Sequence, residues 1–346
     1  MGESPGARAI LDAGVGDGAF PAAVIEVGGS TGVRWRYATG RLSFDSAAPA
    51  ACAETVFDLA SLTKVIVTAS LAMRSAEDGR LRPSDRVAAR LAAWRGRDRT
   101  LVTVRDLLEH CAGLTAWLPL FRSGEGRAEL EPLITGLPLE YPPWTTAVYS
   151  DLGFMLLGFA LEDACGARLD ALADALLEDE DLRFRPPAAW RPRTAPTEFD
   201  EWRRRRLVGE VHDENAWALG GVAGHAGLFG TAPAVGRFAR LVLETMRTST
   251  RLGRPETLRR FTTRSTVPGS SRALGWDTML PTSSCGTRLS RRAFGHTGFT
   301  GTSLWIDPER DLYIVLLTNR VYSSREQHGI RTIRPHVHDA VVGDLR

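Results

Sequence analysis

Strand-like patterns occur near both ends of this 346-residue chain, and helix-like patterns fill most of the long stretch between them. Residues 22–27 run into a glycine-rich turn, and residues 33–37 then alternate with period two, as expected for a hairpin. Residues 302–306 and 312–317 are two further strand-like runs, separated by a turn at 307–310. We therefore expect an α+β fold, in which helices flank one antiparallel sheet built from both chain ends.

The same patterns divide the chain into two expected subdomains. Residues 1–80 and 265–346 form the sheet subdomain, and residues 81–264 form a mainly helical insertion. A helix-like run from Asp58 to Glu77 falls within the sheet subdomain. The two subdomains are expected to act as a single catalytic unit, with the site at their interface.

Charge and composition restrict the class of partner. The hydrophobic fraction of 43% and the charged fraction of 24% are ordinary for a globular protein. The net charge is only +2, and the one dense basic cluster, residues 203–206, lies in a polar stretch. We interpret that cluster as a solvated segment, so nucleic acid is not an expected partner.

Targeting signals and metal-site spacings are not found. Residues 1–20 contain acidic side chains and no apolar core of signal-peptide length, and no run approaches a membrane-spanning segment. The expectation is a cytoplasmic protein without a membrane partner. The four cysteines are far apart in the sequence, which favours free thiols over a metal site or a disulfide framework.

One position carries the only lysine of the chain. Lysine and arginine together number 43, and every one except Lys64 is arginine. Unlike arginine, lysine can lose its proton in a protein. Ser61 precedes Lys64 by three residues, so on a helix the hydroxyl and the amine share one face. Such a pair can act as a nucleophile and its base.

Three further motifs follow Ser61-x-x-Lys64 in a recognisable order. They are a helix-plus-turn segment at residues 104–114, Tyr149-Ser150-Asp151, and His296-Thr297-Gly298. Together they resemble serine hydrolases of the class C β-lactamase and penicillin-binding-protein type, including the esterases of that fold. The glycine-rich segment at residues 209–229 resembles a β-lactamase-related, penicillin-binding-protein-like subgroup.

The resemblance implies a role for each motif residue. Ser61 would be the nucleophile, and the backbone N–H groups of Ser61 and Phe299 would form the oxyanion hole. Lys64 would accept or relay the serine proton, and Tyr149 would pass it to the leaving group. His296 takes the place of a lysine found in many β-lactamases; it would polarise Tyr149 or, when protonated, hold a substrate carboxylate.

Other residues are expected to support the site or bind substrate. Asp151, Thr297 and Gly298 would support it. Asp151 stands where the family usually has asparagine, and a carboxylate there would raise the pKa of Lys64 and shift attention to Tyr149 as the proton carrier. An equally plain interpretation of Asp151 is a carboxylate at a helix N-terminus. The expected substrate-binding residues are Trp117, Trp144 and His225.

Several motifs leave alternatives open. Gly28-x-Ser30-x-Gly32 matches the nucleophile elbow of another hydrolase class, although a hairpin tip fits the following strand better. His212, Asp213 and His225 lie in a glycine-rich loop that could hold a metal, but loop architecture is preferred. His110, at a helix end, is expected to be a structural cap. Phe121, Tyr141 and Trp217 are either an acyl pocket or ordinary core.

The expected function is therefore hydrolysis through an acyl-enzyme, without a metal or cofactor. The substrate would be a small ester, amide or β-lactam. One alternative is a D-amino-acid peptidase or carboxypeptidase, in which His296, Arg291 or Arg292 holds the terminal carboxylate. Another is a penicillin-recognising protein that binds or senses an acyl ligand without turnover. The fold alone does not choose among these substrates.

Overall fold

The computed structural model describes residues 3–344. The strands are β1 (Ala22–Gly29), β2 (Gly32–Gly40), β3 (Phe57–Asp58), β4 (Leu182–Phe184), β5 (Phe199–Asp200), β6 (Arg205–Arg206), β7 (Leu228–Gly230), β8 (Asp277–Thr278), β9 (Phe294–Thr297), β10 (Ser303–Asp307) and β11 (Leu312–Thr318). The α-helices are α1 (Pro5–Gly16), α2 (Ser70–Glu77), α3 (Val104–Leu108), α4 (Gly126–Thr135), α5 (Asp151–Cys165), α6 (Leu169–Leu177), α7 (Glu214–Ala218), α8 (Ala232–Thr245), α9 (Pro255–Thr262) and α10 (Ile330–Asp344). Shorter 3₁₀ turns cover Val87–Ala89, Leu120–Arg122, Ala188–Arg193 and Arg320–Tyr322, and a π-helical segment covers Lys64–Ala69.

The main sheet has six antiparallel strands in the order β2-β1-β11-β10-β9-β8. Strand β1 pairs with β11, so that Ile25 lies opposite Leu316, and this pairing joins the two chain ends. The predicted hairpin and the predicted pair β10–β11 are both present. The expectation of an α+β fold with an antiparallel sheet from both chain ends is therefore confirmed, and two small sheets, β3-β7-β4 and β5-β6, accompany it.

Both faces of this sheet are covered, which explains why every residue of β1 is buried. Ile25 and the alternate residues of β1 face a cluster that includes Leu11 of α1 and Val337 of α10. Val24 and its alternates face a second cluster that includes Phe238 of α8. Because successive side chains of a strand point to opposite faces, a strand covered on both sides reads as a continuous apolar run.

Helix α1 was not predicted from the sequence. Its buried stripe is narrow and consists of Ala7, Leu11 and Gly14. Such small side chains produce little helical periodicity in the sequence. The helix is stabilised by packing against α10, and the hydroxyl of Ser4 donates to Asp344 at 2.7 Å.

The predicted helix from Asp58 to Glu77 begins later than expected. Asp58 ends β3, and its carboxylate accepts the N–H of Ala60 at 2.8 Å. Ala60 has a left-handed φ of 48°, so the chain turns sharply before the helix starts at Leu62. The next segment, Lys64–Ala69, is π-helical, a form that occurs mostly as single turns at functional sites.

The division into a sheet subdomain and a helical insertion remains a prediction. Helix α8, which falls in the expected insertion, packs directly on strands β1 and β11. Among residues 3–344 there is no helix long and apolar enough to cross a membrane.

Candidate active site

Three of the four sequence motifs meet at one cavity of about 510 Å³, whereas no residue of the helix-plus-turn segment 104–114 lines it. Ser61, Tyr149, Asp151 and His296 all line it, and Lys64 lies fully buried beside Ser61. The other expected site residues on its wall are Trp117, His225, Thr297, Gly298 and Phe299.

Lys64 is placed to exchange protons with two neighbours. Its ammonium group donates to Ser61 Oγ at 3.0 Å and to the carbonyl oxygen of His225 at 2.9 Å. Asp151 Oδ1 lies 2.7 Å from the same nitrogen. Ser61 and Lys64 are brought together by the first helical turn after β3, and Asp151 is brought to them by the start of α5.

The charge state of Lys64 is set by two opposing effects. Burial favours the neutral amine, but the negative charge of Asp151, followed by the interaction with Tyr149, outweighs it and raises the pKa of Lys64. At neutral pH Lys64 is therefore an ammonium ion. It can accept the Ser61 proton only after it has given up one of its own.

Tyr149 stands over this pair as a neutral phenol. Burial raises the pKa of Tyr149, although the positive charge of Lys64 works in the other direction. The Lys64 nitrogen lies 5.0 Å from the centre of the Tyr149 ring. A protonated phenol in this position can donate a hydrogen bond or a proton to a group bound beside Ser61.

Two neutral histidines flank the Tyr149 ring. The ring centres of His110 and His296 lie 4.7 and 5.8 Å from that of Tyr149. Burial is the main cause that lowers the pKa of each well below its usual value, and the positive charge of Arg272 adds to it. His296 is therefore uncharged and cannot attract a substrate carboxylate by charge.

Hydrogen bonds determine where these two rings carry their protons. His110 Nδ1 accepts the N–H of Ser150 at 3.0 Å, so its proton is on Nε2. His296 Nδ1 lies 2.8 Å from the carbonyl oxygen of Thr297 and donates to it, so its Nε2 is an acceptor. His110, with a φ of 59°, thus caps the start of α5 by accepting the N–H of Ser150.

Two loops meet beside Ser61 and are held together by hydroxyl groups. Thr300 Oγ1 donates to the carbonyl oxygen of Asp58 at 2.7 Å, and Thr302 Oγ1 donates to that of Leu59 at 3.0 Å. Within residues 3–344, the N–H groups of Ser61 and Phe299 have no hydrogen-bond partner. The joined loops therefore present two free backbone donors at the cavity.

The histidines of the glycine-rich loop pair with carboxylates. His225 Nε2 lies 2.7 Å from Asp213, and His212 Nε2 lies 2.8 Å from Glu198. Burial raises the pKa of Asp213, but the contacts of its carboxylate, above all the one with His225, outweigh burial and lower it. This pairing supports the loop interpretation of the segment over a metal site.

Some expected site residues lie elsewhere. Trp144 does not line the cavity: its indole N–H donates to Asp106 at 2.5 Å, and 44% of its surface is exposed. Ser30 is at the tip of the β1–β2 hairpin, so it is not in a strand-to-helix elbow. Arg291 and Arg292 line a separate cleft. Three aromatic residues considered for an acyl pocket, Phe121, Tyr141 and Trp217, are also absent from the cavity wall.

The cations that do reach the cavity were missed by the sequence analysis. Arg272 lies 5.0 Å from the Tyr149 ring, and its nearest ion-pair partner is Asp277 at 4.0 Å. Arg320, Arg325, Arg331 and Arg334 also line the cavity. In a chain whose basic residues are almost all arginine, nothing in the local sequence distinguishes these five.

Comparison with known proteins adds a family and a fold. A family profile described as Beta-lactamase matches residues 7–337. A putative D-alanyl-D-alanine carboxypeptidase of Escherichia coli (strain K12) is 30% identical over 311 residues, which cover 78% of this chain and 70% of that protein. An N-acetylmuramyl-L-alanine amidase of Bacillus subtilis (strain 168) is 32% identical over 306 residues, covering 78% and 69%. The crystal structure of a class C beta lactamase from Rhodobacter sphaeroides has a TM-score of 0.77 at 19% identity, with 99% of each chain covered.

Proposed function

Since this chain belongs to the beta-lactamase family of serine hydrolases, we propose that it hydrolyses small esters or amides through an acyl-enzyme formed on Ser61. The observation that carries this proposal is the position of Lys64. Its nitrogen lies 3.0 Å from Ser61 Oγ and 2.7 Å from Asp151 Oδ1, which links a nucleophile to a proton acceptor. β-Lactams, which present a similar carbonyl group, are candidate substrates of the same geometry.

The first step is activation of Ser61. Lys64 passes one proton to the Asp151 carboxylate and then takes the hydroxyl proton of Ser61. Ser61 Oγ forms a bond to the substrate carbonyl carbon, while the carbonyl oxygen becomes negatively charged. Because the proton stays within the Lys64–Asp151 pair, the total charge of the site does not change during this transfer.

The negative oxygen needs donors that are already in place. The free N–H groups of Ser61 and Phe299 supply them in this proposal. A single donor of this kind is worth about 10²–10³ in kcat in serine hydrolases. The hydroxyl contacts of Thr300 and Thr302 support this role, because they hold the two donor-bearing loops against each other.

Departure of the leaving group requires a proton. The neutral phenol of Tyr149 gives it, and the proton held by Asp151 returns through Lys64 to restore the phenol. Water then attacks the acyl carbonyl, and the same groups carry its proton in the reverse sense. The acid is released, and Ser61 is regenerated.

A second candidate function is that of a D-amino-acid carboxypeptidase. Arg272 favours it, because this cation borders the cavity and its ion pair with Asp277 is long, at 4.0 Å. A free guanidinium can bind a carboxylate through two parallel hydrogen bonds. The E. coli relative carries the name of such an enzyme.

The proposal is tested by intact-mass measurement after exposure to a fluorophosphonate. We expect one adduct on the wild type and on Ser30→Ala, and none on Ser61→Ala. Ser30 is the matched control because it is the other serine in a hydrolase-like motif, at a hairpin tip. Stoichiometric labelling of Ser61→Ala would remove Ser61 from the mechanism.

The same proteins distinguish the candidate activities. Each is given a p-nitrophenyl ester, a penicillin and a peptide ending in D-alanyl-D-alanine. Release of D-alanine by the wild type, and not by Ser61→Ala, would favour the carboxypeptidase. A penicillin adduct that persists, with no turnover of any substrate, would instead indicate an acyl-ligand sensor.

A further inference from the structure

Two buried arginines lie behind the loop that carries Phe299. Arg320 and Arg334 are each only 5% exposed. Arg320 Nε donates to the carbonyl oxygen of Phe299 at 2.8 Å, and another of its nitrogens donates to those of Arg325, at 2.9 Å, and Gln327. Arg334 donates to the carbonyl oxygen of Thr302 at 3.2 Å.

Within residues 3–344 no carboxylate lies in ion-pair distance of either guanidinium, although the charges of Glu198 and Glu326 act on Arg320 from further away. The Nε of Arg334 has no hydrogen-bond partner among these residues. Burial lowers the pKa of both arginines to about 10, so both remain charged at neutral pH. Buried charges are normally paired, because an unpaired one is strongly unfavourable. An unpaired pair of cations beside a cavity is therefore a feature that stability alone does not explain.

The contacts of these arginines converge on one loop. Phe299 and Thr302 belong to the connection between β9 and β10, and the Thr302 hydroxyl contacts Leu59 beside Ser61. The Arg320 guanidinium also lies 4.5 Å from the centre of the Phe299 ring. Both the carbonyl group and the side chain of Phe299 are thus held by the same arginine.

We propose that Arg320 is a positioning residue for the oxyanion hole, with Arg334 supporting the far end of the same loop. By fixing the Phe299 carbonyl and ring, the guanidinium of Arg320 fixes the direction of the Phe299 N–H relative to that of Ser61. Both arginines line the same cavity as Ser61 and Phe299, so their positive charge faces the space in which the oxyanion of the proposed reaction would form. This inference rests on the proposed function, since it concerns the oxyanion of that reaction.

The test is the variant Arg320→Lys on a neutral p-nitrophenyl ester. Lysine keeps the charge but lacks the planar fork with which Arg320 binds three carbonyl groups and stacks on a ring. We expect kcat to fall about tenfold or more with little change in KM, because small displacements of catalytic groups have large effects on rate. The affinity for an arylboronic acid, whose tetrahedral adduct places an oxygen in the oxyanion hole, should fall by a similar factor.

Arg99→Lys is the matched control. Arg99 is also 5% exposed, donates to two backbone carbonyl oxygens, and lies 5.0 Å from the centre of an aromatic ring, that of Trp94. Unlike Arg320, it also pairs with a carboxylate, that of Asp98, at 3.1 Å. It does not line the Ser61 cavity. Its substitution should lower the melting temperature as Arg320→Lys does, while kcat on the ester stays within about twofold of wild type.

Each other outcome has a defined meaning. An unchanged kcat for Arg320→Lys, or a rise in KM confined to esters that carry a carboxylate, would overturn the inference in favour of an anion-binding role. If Arg320→Lys does not fold, Arg334→Lys at the other end of the loop takes its place, with the same expected result. Fluorophosphonate labelling at Ser61 separates the two proposals. If the wild type is labelled and the kcat of Arg320→Lys and Arg334→Lys is unchanged, only this inference is refuted. If the wild type is not labelled, both proposals are refuted.

Discussion

At the scale of single residues, the unusual feature of this site is a carboxylate against the only lysine. Asp151 is the main cause that opposes burial and raises the pKa of Lys64, so the resting site holds an ammonium ion rather than a free base. A lysine in that state does not accept a proton unless a neighbour removes one first. In the proposed mechanism the Asp151 carboxylate, 2.7 Å away, therefore acts together with the amine as the base.

Asp151→Asn should change the dependence of the rate on pH. Without the carboxylate, the pKa of Lys64 loses its main raising cause while the lowering effect of burial remains. We expect kcat/KM at pH 7 to fall about tenfold to a hundredfold. The kcat/KM of the variant should then rise with pH as Lys64 loses its proton. The wild type should show no such rise between pH 7 and 9.

Lys64→Arg is the companion variant, since arginine keeps the charge and cannot give up its proton. It should be inactive at every pH at which the protein is folded. Profiles of the same shape for wild type and Asp151→Asn would contradict the proton relay.

At the scale of elements, the site depends on how closely the β9–β10 connection approaches the turn after β3. Gly298 lies at the point of closest approach. A Cβ at this position would overlap Thr302 Oγ1 and would lie 2.6 Å from the carbonyl oxygen of Leu59. The glycine is required by space, and it lies one residue before the proposed oxyanion donor Phe299.

Gly298→Ala should therefore separate the two loops. Overpacking of this kind typically destabilises a protein by about 1–3 kcal/mol. We expect a lower melting temperature and a loss of about a hundredfold in kcat, because the Phe299 N–H moves relative to Ser61. Gly16→Ala, at the exposed end of α1 where a Cβ meets no atom within 4 Å, is the control and should be fully active.

These elements also show which parts of the structure could be predicted from sequence. The hairpin β1–β2, helix α5 and the pair β10–β11 follow from local periodicity and turn residues, and the structure contains all three. The motif residues Ser61, Tyr149 and His296 were recognised by type and order, and they do line one cavity. Their catalytic roles stay a prediction.

What could not be predicted depends on contacts between distant parts of the chain. Arg272 and Arg320 reach the cavity from irregular or short segments, and their type is too common in this sequence to mark a site. Trp144 was expected in the pocket, but its indole binds Asp106 and turns away from it. The direction of one side chain is set by a single hydrogen bond, which has no signature in the sequence.

At the scale of the whole molecule, three buried histidines make stability depend on pH. His110 and His296 have pKa values well below the usual one, mainly because of burial. Burial, with the charge of Arg334, lowers the pKa of His338 in α10 to about 3. In the unfolded chain each histidine takes up a proton near pH 6.5, whereas in the folded chain it does not. The stability is thus complete above pH 6.5 and is lost as the pH falls towards the folded values.

The free energy of unfolding, measured with urea at several pH values, should therefore fall steeply below pH 6. Each such histidine contributes a slope of about 1.4 kcal/mol per pH unit. His338→Gln should reduce this slope by the contribution of one histidine, although the substitution also weakens the packing of α10. His336→Gln, on the exposed face of the same helix, should leave the slope unchanged.

Equal slopes for the wild type and His338→Gln would mean that His338 is already protonated in the folded protein. The buried layer between α10 and the sheet would then hold a charge, and that charge would have to be balanced by a group other than Arg334, which is itself a cation.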